Sequence, residues 1–155
     1  MAKIIDGKLT SAKIRERIKA ETADFIKETG VTPGLAVVIV GDDPASKIYV
    51  RNKKRACEEC GFHSEEYALP AETTESELLS LIERLNADKS IHGILVQSPL
   101  PRGLDEKLIV DHISPSKDVD AFHAVNVGKI MIGDYDFLPC TPAGVMALLS
   151  EYGID

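Results

Sequence analysis

The sequence predicts an α/β domain of three layers, with helices on both faces of a mainly parallel sheet, and two apolar runs carry most of that prediction. LAVVIVG (residues 35–41) and HGILVQ (92–97) are uninterrupted, rich in β-branched residues and too short for helices, as expected of strands covered on both sides. Segments of helical periodicity with recognisable caps lie between and around them, and that alternation is the α/β pattern. At 155 residues, 44% hydrophobic and 28% charged, the chain is long enough for one proper core.

Taken in order, residues 9–28 place Ile14, Ile18, Thr22 and Phe25 at helical spacing and end at Gly30. LAVVIVG follows the Pro33-Gly34 turn as a central parallel strand. Asp43-Pro44 then supplies an N-cap and a first-turn proline, and Gly61 stops a helix of about 17 residues. A short strand is expected near FHSEEYAL. Thr73 or Thr74 caps the next helix, whose Leu78, Leu81, Ile82 and Leu85 share one face. After HGILVQ, LDEKLIVDHI reads as a short helix and residues 114–136 as a loop with short strands. TPAGVMALLSEYG is a last helix with Thr141 as cap, Pro142 in the first turn and Gly153 as stop.

The net charge is −7 and uneven: residues 1–55 carry 12 basic and 7 acidic side chains, residues 56–155 carry 6 and 18. This excludes nucleic acid as the expected partner, while the basic excess around residues 47–55 favours a small anionic ligand. No apolar run approaches the roughly 20 residues that cross a bilayer, and MAKIIDGKLT lacks the apolar centre of a signal peptide. A cytoplasmic protein is expected. Three cysteines agree with a reducing compartment. Cys57 and Cys60 are spaced C-x-x-C, but at a helix C-terminus the dipole opposes thiolate chemistry, so core packing is the expected role and no metal is assigned.

Placed every 100° around a helix axis, Ala45, Tyr49, Ala56, Cys57 and Cys60 fall within about 80° of Lys53, while Lys47, Arg51, Lys54 and Arg55 lie about 100° or more away. Lys53 therefore stands in a semi-apolar face rather than among the other bases; a lysine snorkelling along apolar neighbours is the plain alternative. Burial disfavours the charged form of a lysine, which is how lysines become bases near neutral pH. Tyr49 lies one turn earlier, and the pair follows a parallel strand, at whose carboxyl end ligands of open α/β sheets bind. Gln97 ends the second apolar strand at the same rim, with an amide that both donates and accepts. In KDVDAFH (117–123), two aspartates two apart project to one face of an extended segment, where a carboxylate can bind paired N–H groups; surface acidity is the plain alternative. Neither a G-x-G-x-x-G nor a G-x-x-x-x-G-K-[ST] phosphate loop occurs.

DPASKIYVRNK, GILVQSPLP, SKDVDAF and PCTPAG, in that order and at these intervals, closely resemble the N-terminal catalytic domain of the bifunctional methylenetetrahydrofolate dehydrogenase/methenyltetrahydrofolate cyclohydrolase (FolD) family, over essentially the whole chain. The resemblance implies that Lys53 is the central catalytic residue, Tyr49 its neighbour lining the folate site, Gln97 the group that positions the lysine, and Asp120 the carboxylate anchoring the pterin ring. It also implies that Val96, Ser98 and Pro99 line the cleft; cofactor-binding residues are expected mainly in the C-terminal domain, with Cys140 and Thr141 as candidates for the adjacent positions in this chain. Ser98 replaces the family's usual leucine, and Ala121 a frequent glycine; neither departure removes a functional group.

Family members continue into a Rossmann-type domain that binds NADP or NAD and carries the main homodimer contacts. The resemblance thus divides this chain into a tetrahydrofolate-binding catalytic domain, 1–138, and a connecting helix, 139–155, leading toward an NADP domain that the chain lacks. It implies oxidation of 5,10-methylenetetrahydrofolate to the methenyl cation and hydrolysis of that cation to 10-formyltetrahydrofolate, with neutral Lys53 as general base toward water. A short-chain dehydrogenase also uses Tyr-x-x-x-Lys, but needs a glycine-rich loop upstream that is missing. A folate-binding module without turnover is the alternative from a different class.

Overall fold

The structure, a computed structural model, describes residues 4–154. Helix α1 (Gly7–Thr29) is followed by β1 (Gly34–Val40), α2 (Pro44–Cys60), β2 (His63–Leu69), α3 (Glu75–Ala87), β3 (Gly93–Val96), α4 (Glu106–His112), α5 (Ala124–Ile132) and α6 (Cys140–Glu151). The three strands form a parallel sheet of order β2-β1-β3, with the predicted apolar strand 35–41 at its centre.

Both faces of that sheet are covered, which explains the unbroken apolar run. Ala36, Val38 and Val40 join Ile94 and pack with Leu78, Leu81, Ile82 and Leu85 of α3 and Ile109 of α4. Val37, Ile39 and Leu95 point the other way, against Val50 of α2. The pleat sends alternate residues to opposite layers, so every residue of β1 is useful to one core or the other.

The caps form largely where expected. Asp43 accepts a hydrogen bond from the Ser46 amide at 2.7 Å and starts α2, and Gly61, at φ 81°, ends it in the left-handed region that glycine adopts without strain. Thr74, not Thr73, caps α3, in a reciprocal capping box with Glu77. Among the described residues no helix is long and apolar enough to cross a membrane.

Four expectations require correction. Residues 124–132 form helix α5, not loop: β-branched side chains and Gly128 weaken its helical signal, while the fold supplies what propensity lacks, a cap in which the Val125 amide donates to His123 Nδ1, and a buried Asn126. Helix α6 starts at Cys140, so Thr141 lies inside its first turn and makes no cap bond. Phe25 is 44% exposed; α1 turns Ile14, Ile18 and Thr22 inward and leaves the ring outside. Ala45 and Tyr49 are exposed, so the face of α2 read as semi-apolar is divided between core and solvent.

Candidate active site

The buried stripe of α2 runs Ser46, Val50, Cys57 and Cys60, at helical spacing, and half-buried Lys53 occupies the step between Val50 and Cys57. An apolar residue would fit that step; a lysine there spans from the core to the edge of the sheet. Its Nζ donates to Gln97 Oε1 at 2.8 Å. Gln97 follows β3 directly, and its backbone N–H still bonds the Val38 carbonyl at 2.8 Å, so the side chain projects from the last rung of the ladder. The amide is also oriented from behind, because Gln97 Nε2 donates to the Ser98 carbonyl at 2.7 Å and leaves only Oε1 to face the amine.

Asp120 completes the group. It is half-buried, and burial pushes its carboxyl above the ordinary aspartate range, with the Lys53 charge pulling it down and Asp118 pushing it up. Cys140, the first residue of α6, reports the same neighbourhood: partial burial raises its thiol first, then Asp120, with Lys53 opposing. Lys53 from the middle of α2, Gln97 from the end of β3, Asp120 from the connection before α5 and Cys140 from the start of α6 are thus brought toward the carboxyl edge of the sheet, where ligands of open α/β sheets bind.

The remaining predicted residues lie around this group. Tyr49, 62% exposed and one turn before Lys53, presents its ring to solvent rather than to the core. Val96 is half-buried on β3, and Ser98 and Pro99 are exposed beyond it. Ser98 Oγ donates to Glu106 in the first turn of α4, a tie that no sequence signal marked. Thr141 is exposed on α6 beside Cys140.

The two aspartates of KDVDAFH do not act alike. Asp118 is 2% exposed and accepts from the His123 amide at 2.8 Å and from Asn126 Nδ2 at 2.9 Å; only Asp120 is free to meet a ligand. Asn126 was missed because its segment reads as loop. Cys57 and Cys60 are buried, and burial pushes the Cys57 thiol up, as a packing role requires.

Convergent polar groups, not concavity, mark the site. Grooves of about 630 Å³ and about 680 Å³ open along β2, one against α3 and one against the outer flank of α2 with Lys47, Arg51 and Lys54, and neither includes Lys53, Gln97 or Asp120. A half-buried amine, an oriented amide and a carboxyl pushed upward, at one strand-end rim, are the stronger chemical signature.

A family model described as "Tetrahydrofolate dehydrogenase/cyclohydrolase, catalytic domain" matches residues 5–120. The chain is 58% identical over 154 residues to "Bifunctional protein FolD" of Acetivibrio thermocellus, covering 99% of this chain and 54% of that protein. The crystal structure of the bifunctional enzyme FolD from Campylobacter jejuni superposes with a TM-score of 0.93 at 52% identity, over 99% of this chain and 54% of that one. The Trypanosoma brucei methylenetetrahydrofolate dehydrogenase-cyclohydrolase, solved with NADP cofactor and inhibitor, gives 0.94 at 36% identity, over 99% and 52%. The chain spans about half the length of the relatives it matches. With the family model matched over most of its length, the chain belongs to the tetrahydrofolate dehydrogenase/cyclohydrolase family.

Proposed function

We propose that this chain supplies the folate-binding and catalytic half of an enzyme of one-carbon metabolism. That enzyme oxidises 5,10-methylenetetrahydrofolate to 5,10-methenyltetrahydrofolate with NADP and hydrolyses the product to 10-formyltetrahydrofolate, a one-carbon donor for purine biosynthesis. Residues 1–138 form the tetrahydrofolate-binding catalytic domain and residues 139–155 the link to a nucleotide domain, in a cytoplasmic homodimer. The observation that carries this reading is the Lys53–Gln97 hydrogen bond of 2.8 Å beside Asp120, in a chain of this family.

The first strand-to-helix turn of this chain does not fit a dinucleotide. It carries Asp42 and Asp43 where a pyrophosphate would lie, and the Asp43 carboxylate already takes the Ser46 amide at the helix N-terminus. NADP is therefore assigned to residues outside this chain, and the residues of this chain carry the hydrolysis.

Asp120 accepts the paired N–H groups of the pterin, and the exposed ring of Tyr49 offers an apolar wall to the part of the substrate beyond it. Val96, Ser98 and Pro99 form the floor and rim. The methenyl carbon then lies near the Lys53 amine. Neutral Lys53 takes a proton from the attacking water as general base, and Gln97 Oε1 accepts one amine N–H so that the lone pair is directed at that water. Oxygen bonds to the methenyl carbon; the C–N5 bond of the resulting carbinolamine then breaks as its O–H proton is lost and N5 takes up a proton, which leaves the formyl group on N10.

The test is the decay of methenyltetrahydrofolate absorbance in the presence of the chain. The reading expects turnover above the spontaneous rate, reduced to that rate by Lys53→Met. Saturable binding without turnover would instead make the chain a folate-binding module.

A further inference from the structure

We propose that Asn126, through Asp118, is the positioning residue for Asp120. This inference rests on the reading of Asp120 as the carboxylate that meets the substrate. Among the described residues Asp120 makes no side-chain hydrogen bond of its own, so its placement is inherited from the chain on either side. That chain is wrapped around one buried carboxylate. Asp118 Oδ2 accepts from the His123 amide at 2.8 Å and from Asn126 Nδ2 at 2.9 Å, and Asn126 Nδ2 also donates to the Pro115 carbonyl at 2.9 Å. The Ala121 amide bonds the Asp118 carbonyl at 3.2 Å. Residues 115, 118, 121 and 123 are thereby tied into one knot with Asp120 inside it.

Burial gives the knot its rigidity. Asp118 is 2% and Asn126 3% exposed, so water offers no substitute for a lost partner and a broken bond leaves a buried polar group unpaired. The segment is also anchored outside the knot: Lys117 Nζ bonds the Leu85 and Asp88 carbonyls, and the Ile94 amide bonds the Lys117 carbonyl at 2.7 Å. Asn126 is the only side chain of α5 that is buried, and it carries the helix's side-chain bonds to Pro115 and Asp118. Groups that contact a ligand work when such supporting bonds hold them to within a fraction of an ångström.

The experiment titrates tetrahydrofolate into the 155-residue chain by calorimetry for four proteins: unmodified, Asp120→Ala, Asn126→Ala and the double variant. Positioning through Asp120 predicts that Asn126→Ala weakens binding about tenfold when Asp120 is present and adds no further loss when it is absent. Asp118→Asn keeps an oxygen for both donors and is expected to bind within about twofold of the unmodified chain. If Asn126→Ala does not fold, Asn126→Gln, which keeps the donors and adds one methylene, takes its place in the same comparison. Unchanged affinity on replacing Asn126, or an equal loss in both backgrounds, overturns the inference while leaving the role of Asp120 standing. An Asp120→Ala variant that binds normally, or an unmodified chain that does not bind, overturns the reading of Asp120 and the inference with it.

Discussion

Lys53 and Gln97, 44 residues apart in the chain, meet through one hydrogen bond of 2.8 Å, from Nζ to Oε1. The relationship is directional at both ends. The other half of the Gln97 amide is bound to the Ser98 carbonyl, and Lys53 emerges from a stripe whose other members are buried.

That directionality makes the glutamine replaceable in shape but not in charge. Gln97→Glu keeps an oxygen facing the amine but sets a carboxylate against it, which favours the ammonium form that cannot accept a proton from water. It also places an acceptor against the Ser98 carbonyl. Hydrolysis of methenyltetrahydrofolate at neutral pH is expected to fall by at least about tenfold. Initial rates of methenyltetrahydrofolate decay at neutral pH check this; a rate equal to that of the unmodified chain contradicts the base role.

Asp120 carries a stability cost that its function explains. Its carboxyl is raised above 3.8, the ordinary value, by burial first, so the folded state binds the carboxyl proton more tightly than the unfolded chain does. The stability associated with that preference is full below 3.8 and is lost as pH rises through the raised value. Asp120→Asn removes the titration. It is expected to stabilise the chain at pH 7 by on the order of 0.5–1 kcal/mol, with the gain shrinking toward zero below the ordinary value. Thermal unfolding at a series of pH values reads the difference directly.

Much of this geometry was legible in the sequence because it follows from periodicity. Two apolar runs identify the central strand and its neighbour, Asp43 and Gly61 bound the intervening helix, and the phase of Lys53 within it separates that residue from the surrounding bases. Legibility ends where tertiary contacts override local preference. Asp118 and Asp120 look equivalent two residues apart, yet one is buried against Asn126 and the other is not. Helix α5 is invisible for a related reason: Val125, Val127, Ile130 and Ile132 lower its propensity, and Asn126, which ties it to the loop, is polar. Tyr49 misleads in the opposite sense, an aromatic at core-like spacing that the fold leaves outside.

Cys140 offers a chemical probe of the site. Of the three cysteines only Cys140 is exposed, so iodoacetamide should modify it and spare Cys57 and Cys60 in the folded chain. The thiolate is the nucleophile, and its formation is opposed by partial burial and by Asp120 but assisted by Lys53. Alkylation at pH 8, followed by mass spectrometry, should therefore quicken in Asp120→Asn and slow in Lys53→Met. Identical rates in all three proteins would separate Cys140 from the site.

Ala121 sits where the family resemblance places a glycine, and the backbone shows why. Its φ is +57°, the one left-handed non-glycine among the described residues, and its methyl is buried at 1% exposure. The conformation lets the chain turn so that the His123 amide reaches Asp118. Ala121→Gly relieves roughly 1–2 kcal/mol of left-handed strain, gives back about 0.5–1 kcal/mol through the greater freedom of the unfolded chain, and loses one buried methyl worth about 0.8 kcal/mol. These terms nearly cancel, so urea denaturation should place the variant within about 1 kcal/mol of the unmodified chain. Ala121→Val, β-branched in the same conformation and buried without room, should cost at least about 2 kcal/mol and displace Asp120 with it. Folate affinity separates the two substitutions: retained within about twofold for glycine, lost with the turn for valine.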